Sequence, residues 1–196
     1  GIAGGMALRG MHPVVEITWY GAVMYCNWLS ALEGRQPCYD TGDWTCDYSK
    51  DGYRLPTEAE WERAAAWDAE DERHYVYGSG SDLIPIELVN YDMNNPLGLS
   101  HWPYTMPTGY FPEVTSPVGC FDMSGNAGEW CNDWCCRAYT GATLTDPHGP
   151  GSGEKRIVRG GSWADGSVIC RSACRSKFSP ETSNSGHGFR GVMREA

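Results

Sequence analysis

Basic residues are scarce in this chain. Lysine and arginine number 15 against 25 aspartates and glutamates, only three of the bases are lysine, and the formal charge is −10. A protein that grips a phosphate backbone needs a cationic face, so nucleic acid is excluded as a partner. Long apolar runs are missing too. None approaches the ~20 residues that a membrane-spanning helix requires, so no membrane span is expected. The sequence has no His-Glu-x-x-His, no P-loop and no Gly-x-Ser-x-Gly elbow. Its five histidines (His12, His74, His101, His148 and His187) are scattered without metal-ligand spacing. Nine cysteines contain no Cys-x-x-Cys pair. Cys131, Cys135 and Cys136 therefore read as small buried residues or disulfide members rather than a zinc site. That cysteine content is dense for a cytosolic protein yet sparse for a disulfide scaffold, which leaves the compartment open. No signal peptide opens the sequence; Gly1 to Gly5 read as the start of a fragment, and an upstream segment is expected.

What is present points to a globular α+β chain. Apolar residues make up 41% and charged residues 20%, too apolar for disorder. The 25 glycines and 12 prolines put much backbone into turns, while nine tryptophans and eleven tyrosines supply core bulk. Thr18 caps a predicted helix whose Trp19, Ala22, Val23, Cys26 and Leu29 share one face, and Gly34 stops it. Residues 36–52 read as a turn-rich excursion. A second helix follows Pro56, where Thr57 and Glu60 form a capping box and Trp61, Ala64 and Ala65 the apolar stripe. The pattern fades over 69–118 and returns before Trp134. Strands are expected at 156–159, 169–175 and 188–193. With no repeat and no linker, residues 1–196 read as one domain with two helices, short twisted strands and high loop content.

Several motifs carry a family resemblance. His12-Pro13-Val14-Val15, Tyr25-Cys26-Asn27-Trp28 and the run from Gly52 through Arg54-Leu55-Pro56-Thr57-Glu58 to Trp61-Glu62 are three of them. Asp122-Met123-Ser124-Gly125-Asn126-Ala127-Gly128-Glu129-Trp130, Arg159-Gly160-Gly161-Ser162-Trp163 and Gly188-Phe189-Arg190 complete the set. In order and combination they resemble the formylglycine-generating enzyme (sulfatase-modifying factor) family. The resemblance implies that family's variant of the C-type lectin fold. It does not fix function, because the family spans copper-dependent oxidases, non-catalytic binding domains and the variable proteins of diversity-generating retroelements.

Three expectations follow from the resemblance. The oxidases need two cysteines five positions apart, soft thiolates able to hold Cu(I) and exchange with a substrate thiol. Here Asp165 falls on the first and Cys170 on the second. A metal-dependent oxidase using copper would have to rely on Cys170 and Cys174, which a strand over 169–175 would place on one face. A structural calcium is implied around the Gly-Asn-x-x-Glu-Trp run, with the Asp122 and Glu129 carboxylates and the Gly125 and Ala127 carbonyls as ligands. A second family calcium site would use Asn90 and the Tyr91 carbonyl, without an identifiable downstream acid.

The third expectation is a ligand-binding face. The frame Gly-Gly-Ser-Trp…Cys-Arg-Ser-Ala-x-Arg…Pro…Gly-Phe-Arg is similar to the C-terminal variable region of retroelement-diversified proteins. Residues 164–176 contain no Lys, Glu, Gln, Met or Trp, residues that adenine-directed mutation of Asn-type codons cannot reach. Within the candidate variable region 164–187, the expected contact positions are Ala164, Asp165, Gly166, Ser167, Val168, Ile169, Cys174, Ser176, Phe178, Ser179, Thr182, Ser183, Asn184, Ser185 and His187. Loops held by a rigid scaffold suit adaptable recognition of a protein or glycan ligand. Arg171, Arg175 and Arg190 read as scaffold ion pairs in so acidic a chain. A display role would place the protein on a cell surface, on a virion or in the medium; its oligomeric state stays open.

Overall fold

A computed structural model describes residues 11–136 and 145–194. Helix α1 (Trp19–Leu32) begins where the Thr18 side chain accepts a hydrogen bond from the Gly21 N–H, 3.0 Å. It buries Trp19, Ala22, Val23, Cys26 and Leu29, the predicted face. The chain leaves it through Gly34 at φ +71°, a conformation glycine adopts without steric cost. Trp19 is fully buried, and its indole N–H donates to the Cys131 carbonyl, which fixes α1 against the central sheet.

Strand β1 (Tyr53–Arg54) leads into helix α2 (Glu58–Ala66), which opens with the complete Thr57–Glu60 capping box. At Trp67 the backbone turns extended and forms β2 (Trp67–Asp68), paired antiparallel with β3 (Arg73–His74). The long strand β4 (Gly128–Trp134) is the axis of the molecule and is buried along almost its whole length. It pairs antiparallel with β5 (Arg156–Arg159) and parallel with β7 (His187–Gly188), and β5 pairs antiparallel with β6 (Ser176–Phe178). The sheet order is β6-β5-β4-β7, while β8 (Val192–Met193) closes back on β1.

Two expected strands are corrected. Residues 169–175 form turns: the Ile169 N–H bonds locally to the Gly166 carbonyl and the Cys174 N–H to the Arg171 carbonyl, while the Ser172 N–H reaches the Val76 carbonyl. The edge of β5 is taken by 176–178 instead, and Arg171 makes only an isolated bridge to Tyr77. Residues 188–193 divide between β7 and β8, which belong to different sheets. The core follows this layout. One cluster joins α1 to Tyr53, Leu55, Trp130 and Val158; a second joins Trp61, Ala64 and Ala65 of α2 to Met123, Cys131 and Ile157. A third packs Val89 and Tyr91 on Cys170, which anchors the otherwise irregular 69–118 region.

Candidate functional site

The turn before β4 is built by residues at positive φ: Asp122 at +57°, Gly125 at +74° and Asn126 at +64°. A Cβ on Gly125 would lie 2.3 Å from the Asn90 carbonyl, so glycine is required there. Asn126 ties this turn to the preceding loop. Its Oδ1 accepts from the Met106 N–H (2.8 Å), and its Nδ2 donates to the Met106 carbonyl (3.1 Å). Asn90 donates to the Tyr104 carbonyl and to Asn126, but its own Oδ1 is buried without a partner among the described residues.

Glu129, one of the two acids of the expected calcium clip, is already engaged. Arg190 donates Nε to its Oε2 (2.6 Å) and Nη2 to its Oε1, and the Trp61 indole N–H reaches Oε2 at 2.6 Å. Burial opposes the Arg190 charge, but Glu129 more than offsets this and pushes its pKa up. Asp122 accepts from the Gly109 N–H, and burial raises its pKa. Asp122 and Glu129 do meet, on the wall of a cavity of about 430 Å³ also lined by Tyr25, Tyr53 and Phe189. No group of three or more metal-ligating side chains occurs among the described residues. With a guanidinium on both of its oxygens, Glu129 is arranged as half of a buried ion pair and not as a calcium ligand.

The copper pair fares no better on its donor chemistry. Asp165 turns its Oδ2 inward to accept from the Ser162 N–H (2.9 Å) and hydroxyl (2.6 Å), so it caps the Gly-Gly-Ser-Trp turn. Cys170 is buried under Gly161, whose Cβ would sit 2.8 Å from the sulfur. Burial first, then Asp165 and Cys174, push the Cys170 thiol up to about 12. A soft-metal or exchanging thiolate needs the opposite environment. Cys174 lies half-buried on the following turn rather than on a shared strand face.

The arginines divide. Arg159 is buried between Glu58 and Glu62, and Arg175 donates from Nε and Nη2 to both oxygens of Glu58. With Arg190, these are scaffold ion pairs. Arg171 differs from the expectation: it is exposed, and its Nε donates to the Val168 carbonyl.

The fifteen expected contact positions also separate. Ala164, Gly166, Val168, Ser183 and Asn184 are exposed. Asp165, Ser167, Ile169, Cys174, Ser176, Ser179, Thr182 and Ser185 are half-buried. His187 must be withdrawn from the contact set. It is buried in β7, its ring 5.6 Å from Trp130 and 4.2 Å from Phe178, and burial lowers its pKa. Phe178 packs half-buried against the same core cluster and belongs to the scaffold. Trp163 holds the face together from below: it is 3% exposed and donates its indole N–H to the Ser185 carbonyl. Sequence reasoning missed the neighbours of this face. Trp102, Tyr104 and Met93 come from the faint 69–118 region, and an aromatic pair in a polar loop was the available signal.

The architecture, two helices around a short-stranded mixed sheet with long loops, defines a C-type-lectin-like α+β protein of the formylglycine-generating type. The family model of the sulfatase-modifying factor enzyme 1-like domain matches residues 4–195. The chain belongs to that family. It is 32% identical to a formylglycine-generating enzyme of Streptomyces coelicolor over 93% of this chain and 52% of that enzyme. It is also 32% identical to the serine/threonine-protein kinase pkn1 of Chlamydia caviae, over 91% of this chain and 24% of that protein. It therefore spans from a quarter to about half the length of these curated relatives. Among solved structures it is similar to Treponema denticola variable protein 1, with 31% identity, a TM-score of 0.79, and coverage of 94% of this chain and 72% of that one. Among the described residues no helix is long and apolar enough to cross a membrane.

Proposed function

We propose that this chain is a non-catalytic ligand-binding protein, a variable display protein of a diversity-generating retroelement, whose binding face lies within 164–187. The observation that carries this reading is the structural likeness to a variable protein at a TM-score of 0.79. Two features of the chain support it: Asp165 stands where the oxidases place a cysteine, and Cys170 is buried and held protonated. The ligand is a protein or glycan met by exposed small and polar side chains on a fixed turn. Residues 1–196 serve as one folding unit in this reading. The test is to sequence this region of the gene and its downstream DNA in related isolates. Variation concentrated at codons 164, 166, 168, 183 and 184, with a near-copy repeat nearby and codons 163, 175, 178, 187 and 190 constant, supports diversification. Uniform variation without a repeat overturns it. The kinship to formylglycine-generating enzymes keeps a second reading alive, a metal-dependent oxidase acting on a thiol substrate. Copper-dependent conversion of a Cys-x-Pro-x-Arg peptide to formylglycine would establish that second reading instead.

A further inference from the structure

We infer that the outer face of α1 pairs with the same face of a second copy of this chain, about a two-fold axis that crosses the helix near Trp28. The inference goes beyond the reading of 164–187 and does not depend on it. The 14 residues of α1 contain no charged side chain. A surface helix turns charged and polar residues outward, and one that is apolar all round is covered. The core covers the inner face of α1. The outer face lies open: Met24 is 51% exposed, Trp28 56% and Leu32 66%, at i, i+4 and i+8, with Tyr25 beside them at 43%. The Trp28 and Tyr25 rings lie 5.4 Å apart, and Tyr25 lies 5.4 Å from Phe189. These ring contacts fix the side chains before any partner arrives, and tryptophan and tyrosine are the residues that anchor interfaces.

Three features select a second copy as the occupant. The first is charge. At −10 overall, two copies repel across most of their surface, whereas the α1 stripe lets them touch without bringing like charges together. Exposed Glu16 and the Glu33–Arg35 pair stand beyond the two ends of the helix. The second is shape. Met24, Trp28 and Leu32 form one raised row. The adjoining row is low, because Ala31 is small and Asn27 turns inward, its amide donating to the Tyr39 carbonyl and accepting from the Tyr39 N–H. The raised row of each copy fits the low row of the other, the packing in which helices cross at about −50°. Met24 of one copy then meets Leu32 of the other, and the contact closes at two copies. A foreign protein would have to supply such a face, whereas a second copy already carries it. The third is area. With Met11 and Val14, which line the cavity beside Tyr25, the open apolar surface is on the order of 600 Å² per copy. Both copies together bury about 1,200 Å², the lower bound of a stable interface.

Sedimentation equilibrium from about 1 to 200 µM tests the pairing. The parent is expected to pass from one to two copies per particle with a dissociation constant of about 10 µM, as an interface of that size allows. Apolar burial drives the contact and like charges oppose it, so raising NaCl from about 0.05 to 0.5 M is expected to tighten it about threefold. Trp28→Glu sets two carboxylates against each other across the axis and is expected to weaken pairing about thirtyfold or more. Leu32→Glu, at a more exposed position, is expected to do the same and serves if Trp28→Glu lowers the thermal midpoint. Trp102→Glu adds the same charge at a side chain 69% exposed on the loop against Trp163, and is expected to change pairing by less than about twofold. A chain that stays single at the highest concentration overturns the inference. So do equal effects of the α1 and Trp102 variants, loosening by salt, or growth past two copies. None of these results bears on the codons of 164–187, so the two readings fail separately.

Discussion

Asp133 shows how one carboxyl can work against the fold it helps to build. Its Oδ2 accepts the Glu58 N–H at 2.7 Å, which satisfies a donor in the first turn of α2. Yet Asp133 is 5% exposed, and burial pushes its pKa from 3.8 up to about 6. The Glu58 N–H bond opposes that rise, and the neighbouring Glu58 and Glu60 charges add to it. The folded state thus holds the proton more tightly than the unfolded chain. The stabilisation from protonated Asp133 is complete below about pH 4 and lost as the pH rises through 6. A two-unit shift corresponds to roughly 3 kcal/mol at most, and solvent relaxation lowers the expected effect to about 1–2 kcal/mol. Asp133→Asn keeps the acceptor and removes the titration. Urea unfolding should find the variant equal to the parent at pH 4 and more stable by about 1–2 kcal/mol at pH 7. Parallel pH profiles for the two proteins would refute this account.

At the scale of elements, local chemistry explains why the helices were legible and several strands were not. Both helices carry their own start signals, Thr18 for α1 and the Thr57–Glu60 box for α2, and their buried faces follow helical spacing. The box does more than start α2. Glu60 accepts from the Thr57 N–H and also holds Arg54 of β1 with both oxygens, so it joins a strand to a helix. Thr57→Ala should therefore cost about 1 kcal/mol in urea unfolding, the usual loss of a cap, and Glu60→Ala more, because Arg54 loses its partner as well. Equal, negligible losses would mean that packing of Trp61 alone fixes the helix. Strands of two or three residues carry no such signal. Their placement depends on pairing with distant partners, as when 176–178 takes the β5 edge while 169–175, expected as a strand, forms turns. Alternation in a short segment cannot choose between a strand and a succession of turns.

For the whole molecule, the motifs that run from Arg54 to Arg190 were enough to give the fold, because each sits at a junction between elements. The candidate site was legible only in part. Its scaffold residues, Trp163 and Arg175, were readable from their motif, whereas Trp102 reaches the face through a loop held by Asn90 and Asn126 side chains, with no periodicity to read. The same long-range assembly changes the expectation for calcium. Glu129 of β4, Trp61 of α2 and Arg190 near the end of the chain converge on one ion pair, buried to about a tenth of side-chain exposure. If that pair holds the elements together, EDTA should leave the thermal midpoint within about a degree of its value. Glu129→Gln should lower it by about 10 °C, since an unpaired buried arginine costs roughly 3–5 kcal/mol and each kcal/mol shifts a chain of this size by about 2–4 °C. Differential scanning calorimetry with and without chelator separates the alternatives. A calcium clip would make EDTA reproduce the effect of Glu129→Gln on the parent and add nothing in the variant. The ion pair requires the variant to fall alone, with chelator inert in both.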